Sequence, residues 1–299
     1  MDKKVKISLV VAVILMVAGL AMMAASVWVA GFDGLSTTVT VTNTCEITDA
    51  IRDLDIQVGT ADVIIVPSED GTCKVVCDEE EKLYHSVTAR DGILQIRKVD
   101  EREWHENVGI HMGDTQVKVY LPQDEYGMLT VEGSTGRVDI MGGFCFDSIE
   151  VTVSTGSVRI GAVTADSVDL NVTTGRVDAD SVTCHGELTV RANTGDVYLT
   201  DIGCGTLISE GSAGDIVLTG VIAEEKMDIR RTTGDVELMS CDGPVIIIGT
   251  GTGDVTGSIL TGKRFETHTS TGKVQVPESA TGGECHITTS TGDIRISVG

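Results

Sequence analysis

The sequence predicts an all-β protein: a single-chain parallel β-solenoid with coils of about 19.5 residues, preceded by one N-terminal transmembrane helix. Three observations carry this. The first is a set of evenly spaced glycines: Gly136, Gly156, Gly175, Gly195, Gly214, Gly234, Gly253, Gly272 and Gly292, with every step 19 or 20 residues. The second is what surrounds them. Two residues after each glycine stands Val or Ile, from Val138 and Val158 to Ile294. Before them apolar and polar residues alternate, as in Ile149, Val151, Val153 against Glu150, Thr152, Ser154, which is a strand with one face in and one face out. The third is composition. Aromatics are 3% and glycines number 35, as expected of a thin interior filled by small β-favouring side chains.

In chain order, residues 1–6 form a short tail with Lys3, Lys4 and Lys6. Ile7 to Ala30 is 24 residues without a charge, enough as a helix to cross a hydrocarbon layer of about 30 Å. The lysines hold the N-terminus in the cytoplasm, and Trp28 suits the far interface. The expected location is therefore the cell membrane, single-pass, with an extracytoplasmic ectodomain. Residues 31–127 are β-rich but irregular and are expected to cap the solenoid. Within them GTADVII (Gly59 to Ile65) looks like a degenerate corner with Ala61 in the glycine's place. Asp100 to Asp114 reads as a polar loop carrying His105 and His111. Residues 128–299 hold the nine repeats.

Each repeat reads as a strand, a Ser/Thr-Thr-Gly corner and a second strand. An apolar residue often falls seven after the glycine, as in Val163, Val182 and Ile202, which suggests a third short side. A unit this small buries its inner face only by stacking on its neighbours at about 4.8 Å. Nine coils then make a rod of roughly 43 Å. The glycines are read as corners that take positive φ.

A resemblance follows from the order of motifs: the apolar anchor, then FDGLST, ADVIIVPSEDGTCKVVCDEE, DGILQIRK and VKVYLP, then serial STGRVDI, STGSVRI and STGDIRI. Together they resemble the bacterial membrane-anchored "putative adhesin" family over nearly the whole ectodomain. The resemblance implies an extracytoplasmic β-solenoid and brings no catalytic residues to carry over.

Charge narrows the function. From residue 31 onward there are 19 basic residues (22 less three) and 44 acidic ones (45 less Asp2), a net of −25. Such a body repels nucleic acid and anionic head groups and attracts cations or basic partners. After the corner glycines stand Asp196, Asp215, Asp235 and Asp254 in succession. Stacked one coil apart, they are the candidate metal residues, for weak calcium binding, with backbone capping as the competing role. No other cofactor is expected. The four lack an accompanying His or Arg set for acid–base work, and the half-coils FDSIEV and ADSVDL break the calcium nonapeptide pattern. The eight cysteines read mainly as small thiols inside the coils, with Cys184 and Cys204 able to meet in adjacent coils. The expected function is a non-catalytic adhesion or interaction module, anchored in the bilayer by residues 7–30, whose ligand is a protein or charged polymer. An envelope sensor or regulator binding a stress ligand or membrane partner is the alternative. Because the last corner, Gly292, lies seven residues from Gly299, the C-terminal coil is expected to be the open end of the rod and a surface for self-association.

Overall fold

The computed structural model describes residues 40–102, 115–278 and 281–299, with four isolated positions, Leu15, Met16, Gly19 and Met22. The expected membrane span lies outside the described residues apart from those four, and His105 and His111 lie outside them altogether. Among the described residues no helix is long and apolar enough to cross a membrane.

The strands run in chain order as β1 (Thr40–Ile47), β2 (Asp53–Gln57), β3 (Asp62–Pro67), β4 (Cys73–Glu80), β5 (Leu83–Arg90), β6 (Ile93–Asp100), β7 (Gln116–Leu121) and β8 (Glu125–Thr194). Next come β9 (Val197–Thr200), β10 (Gly203–Ala213), β11 (Ile216–Thr219), β12 (Ile222–Thr233), β13 (Val236–Cys241) and β14 (Val245–Thr252). The last are β15 (Val255–Ile259), β16 (Lys263–Thr271), β17 (Val274–Gln275), β18 (Gly283–Thr291) and β19 (Ile294–Val298). β8 alone runs through the corners of Gly136, Gly156 and Gly175. From there the ladders are parallel and in register, as in Leu207↔Leu188 and Leu207↔Met227, or Ile216↔Val197 and Ile216↔Val236. The inward positions are almost fully buried: Val151, Leu170, Val190, Leu207 and Ile229 on one side, Val158, Val177, Val197, Ile216 and Val236 on the other. Among the described residues rings cluster where Tyr126, Phe144 and Phe146 pack with centroids 5.5–6.3 Å apart.

The third side has a definite cause. Six residues after the corner glycine the chain turns again through a left-handed residue: Ala162 (φ 51°), Ser181 (57°), Asp201 (52°), Gly220 (64°) and Ser240 (56°). This second corner swings the next residue, such as Val163, Val182, Ile202 or Val221, into the core.

The stack is not in chain order at either end. At the N-terminal end β2 lies between β6 and the start of β8, with Leu54 opposite both Leu94 and Leu129. β3 likewise lies between β7 and β8. The coil of residues 53–67 is thus enclosed by a coil that follows it in sequence. Beyond it the sheet turns antiparallel: β5 pairs β6, β4 pairs β7, and β1 pairs β4. The purely parallel stack expected from the sequence is therefore corrected to a mixed sheet whose antiparallel strands cover the N-terminal edge.

At the C-terminal end β18 lies between β14 and β16, and β19 pairs both β15 and β17. The corner order in space is Gly253, Gly292, Gly272. This overturns the expectation that the coil of Gly292 closes the rod. Its core residues explain the exchange. Cys285, Ile287 and Ile294 are at most 1% exposed, an inner face that needs cover on both sides. The coil of Gly272 presents Phe265, Thr267 and Thr269 in half-buried positions, a more polar set that tolerates water at the rod's end. At that end Lys263 turns inward, 2% exposed, onto Asp242 and Thr261. Inward charge of this kind discourages uncontrolled pairing of an edge.

Candidate interaction surface

The corners form the first candidate surface. Every corner glycine has positive φ, from 123° at Gly214 to 157° at Gly272. They also touch: a Cβ on Gly175 would lie 1.6 Å from the Gly156 carbonyl oxygen, and one on Gly195 would lie 1.7 Å from that of Gly175. Glycine is required twice over, by backbone conformation and by the close approach of coils.

The aspartates that follow are held by the same stack. Asp215 N–H donates to Asp196 Oδ1 at 3.0 Å, Asp235 N–H to Asp215 Oδ1 at 2.8 Å and Asp254 N–H to Asp235 Oδ1 at 2.7 Å. The ladder then crosses the exchanged coil: Asp293 N–H donates to Asp254 Oδ1 and Lys273 N–H to Asp293 Oδ1, both at 2.7 Å. Asp62, in the degenerate GTAD corner, begins the pattern by accepting from Arg137 N–H at 2.7 Å. The backbone on either side bonds forward instead, as in Gly195 N–H to Ala213 O at 2.7 Å and Val197 N–H to Asp215 O at 2.9 Å. The carboxylate therefore takes the one amide of the corner that points back to the preceding coil. Among the described residues, Asp196, Asp215, Asp235 and Asp254 do not bring three ligand atoms into one cation-sized group. Asp235→Ala is expected to lower stability by about 1 kcal/mol in a denaturant titration, and Asp235→Asn by less, because an amide oxygen still accepts the bond.

One residue of the rod interior was not anticipated from the repeat. Three positions before the corners from Gly156 to Gly253 stand Val153, Val172, Ala192, Gly211, Arg231 and Thr250. Arg231 is 5% exposed and points inward, its Nη1 donating to Ala192 O at 2.6 Å across two coils. Its Nε and Nη2 have no partner among the described residues, and burial pulls the guanidinium pKa down. Gly211 makes the room, since a Cβ there would sit 1.5 Å from Nη1. The signal was legible as a missing side chain one coil before an oversized one. On the outer face nearby, Asn171, Thr173, Arg191, Asn193, Glu210 and Gly211 line a shallow groove of about 250 Å³.

Much of the outer charge is paired. Arg176 holds Asp178 and lies 3.9 Å over the Tyr198 ring, Arg191 meets Asp169 at 2.8 Å, and Lys226 and Arg230 both hold Asp228. The eight cysteines are free. Cys184 and Cys204 face each other in register, and burial pushes the Cys204 and Cys285 thiols up to about 12.

The second candidate surface is the end coil. β16 pairs with β18 alone and β17 with β19 alone, so their outer backbone edges have no strand partner among the described residues. Val274 and Leu260 beside them are each 45% exposed.

The chain is similar over its length to solved structures of low identity. One is a putative adhesin from Bacteroides fragilis, with 13% identity, 88% of this chain and 99% of that chain covered, and a TM-score of 0.47. Putative adhesins from Parabacteroides distasonis (12% identity, 87% and 98% covered, TM-score 0.45) and Parabacteroides merdae (12%, 88% and 98%, TM-score 0.33) are similar in the same way. No curated protein matches the chain. The family model Toastrack DUF4097 matches residues 51–240 and again 185–299. Since these segments cover most of the chain and run across the whole solenoid, the protein belongs to the Toastrack DUF4097 family.

Proposed function

We propose that this protein is a membrane-anchored, extracytoplasmic rod that binds an extended, basic segment of another protein without catalysis. Residues 7–30 hold it in the bilayer, with the N-terminus cytoplasmic. The observation that carries the reading is the open parallel edge of β16 and β17 at one end of a body whose net charge is −25 (19 less 44). An unpaired edge offers a row of backbone donors and acceptors to an incoming strand. The acidic body concentrates cationic partners around it and repels nucleic acid. The edge also admits a second copy of the chain, so the self-association first placed at Gly292 moves to the coil of Gly272.

Binding of a lysine-rich peptide to the full chain in detergent tests this, with His268→Pro and Val274→Pro as edge variants, since the alternate residues Thr271 and Lys273 face β18 and β19. Proline removes an edge donor and blocks strand addition. Binding that falls with salt and drops at least about tenfold in the edge variants is expected. Equal binding by wild type and variants would remove the edge from the account, and no binding at low salt would remove the reading. Concentration-dependent association of the wild type, lost in the same variants, would identify a second copy as the occupant.

A further inference from the structure

We infer that Cys77, Glu79 and His85 form a buried binding site for a divalent transition-metal ion, zinc foremost, in the antiparallel strands at the N-terminal end of the rod. Cys77 and Glu79 lie two apart on the inward face of β4, and His85 lies on the inward face of β5. The two strands pair only at Glu80↔Leu83. Beyond that point they part, β4 to lie along β7 and β5 along β6. The side chains between them thus converge inside the wedge. One ligand atom from each of the three lies within 4.8 Å of the other two. All three are buried: Cys77 is 2% exposed, Glu79 1% and His85 7%.

The bonds within the cluster leave capacity for an ion. Glu79 Oε2 accepts from His85 N–H at 2.7 Å and meets His85 Nδ1 at 2.9 Å, while Glu79 Oε1 accepts from Asn43 Nδ2 at 2.7 Å. A carboxylate held this way fixes the orientation of the ring. The other ring nitrogen, Nε2, is buried with no partner among the described residues. Through Nδ1, which already meets Glu79 Oε2, His85 shares one ion with Glu79 and Cys77, and the ring proton then sits on Nε2. A simple His–Glu pair does not account for a buried thiol at the same point.

The donor set selects the metal class. Thiolate, imidazole and carboxylate together are zinc ligands, whereas calcium and magnesium take oxygen alone. A thiolate and a carboxylate carry two negative charges, which a divalent cation neutralises inside an otherwise apolar rod. Without metal, burial and then the Glu79 charge push the Cys77 thiol up to about 12, so the ion displaces a proton as it binds.

The full chain, reduced, stripped with a chelator and kept in detergent, is titrated with Co²⁺ and then Zn²⁺. One equivalent of Co²⁺ is expected to give a near-ultraviolet thiolate-to-metal charge-transfer band, which Zn²⁺ then abolishes. Cys77→Ser should lose the band, and His85→Asn should weaken binding at least about tenfold. Cys204→Ser, which removes a buried thiol far along the rod, should keep both band and affinity. Absence of the band in wild type under excess Co²⁺ overturns the site, whatever the variants do. A band that survives in Cys77→Ser, with circular dichroism unchanged, overturns it as well.

Discussion

Gly195→Ala is expected to lower the stability of the rod by about 3–5 kcal/mol. Two costs combine at this position. At φ 142° an L-residue is strained. The new Cβ would also stand 1.7 Å from the Gly175 carbonyl oxygen, which is backbone and cannot step aside. Relief requires the two coils to separate, with loss of the parallel ladder around Val177↔Val197 and Ile216↔Val197. Gly203→Ala is the control: its Cβ meets nothing within 4 Å, and a change within about 0.5 kcal/mol is expected. Denaturant unfolding of the pair checks this. Equal stability of the two variants would show that the corners are not held by contact between glycines.

The second large effect tests the order of the last coils. Ile287→Ala is expected to cost about 2–5 kcal/mol, because Ile287 is fully buried between β14 and β16. Val274→Ala, at a position 45% exposed on the end coil, is expected to stay within about 0.5 kcal/mol. In a rod stacked in chain order the ranking would reverse, since the coil of Gly272 would be enclosed and that of Gly292 would face solvent. Cross-linking reads the same point directly. Thr256 and Gln275 each lie in register with Arg295, from opposite sides. Thr256→Cys with Arg295→Cys should therefore form a disulfide under mild oxidation, and Thr256→Cys with Gln275→Cys should not. Cross-linking of the second pair alone would establish the sequential stack.

The period of the repeat was legible because one chemical requirement recurs unchanged. Positive φ and contact with the neighbouring coil both exclude every side chain, so glycine returns at each corner from Gly136 to Gly292. The alternation of Val, Ile and Leu was equally plain, since each inner position meets its equivalents above and below. The second corner was not legible. Its backbone turns left-handed at Ala162, Ser181, Asp201, Gly220 and Ser240, with φ between 51° and 64°, a region that residues other than glycine also enter, so the residue type varies. The Asp ladder was visible as a row of carboxylates. That each oxygen takes the back-pointing amide of the next coil is a property of the stack alone, because stacking sets that amide's direction.

By itself, then, the sequence determined the coil: its length, its inner and outer faces, its corner glycines and its acidic surface, all of which follow from interactions within one repeat and its copies. The tertiary structure alone decided how the coils at the ends are ordered and what converges there. Parallel pairing with equivalent registers lets any coil stack on any other, so chain order does not select neighbours. The selection falls to burial. Ile287 and Ile294 gain more by being enclosed on both sides than Thr267 and Thr269 do, and the chain threads its last coil inward accordingly. The same holds for Cys77, Glu79 and His85, which lie within nine residues of one another in a stretch of ordinary strand pattern. They converge because β4 and β5 separate after a single pair to follow two different strands, a divergence imposed by the coil they cover and absent from their own sequence.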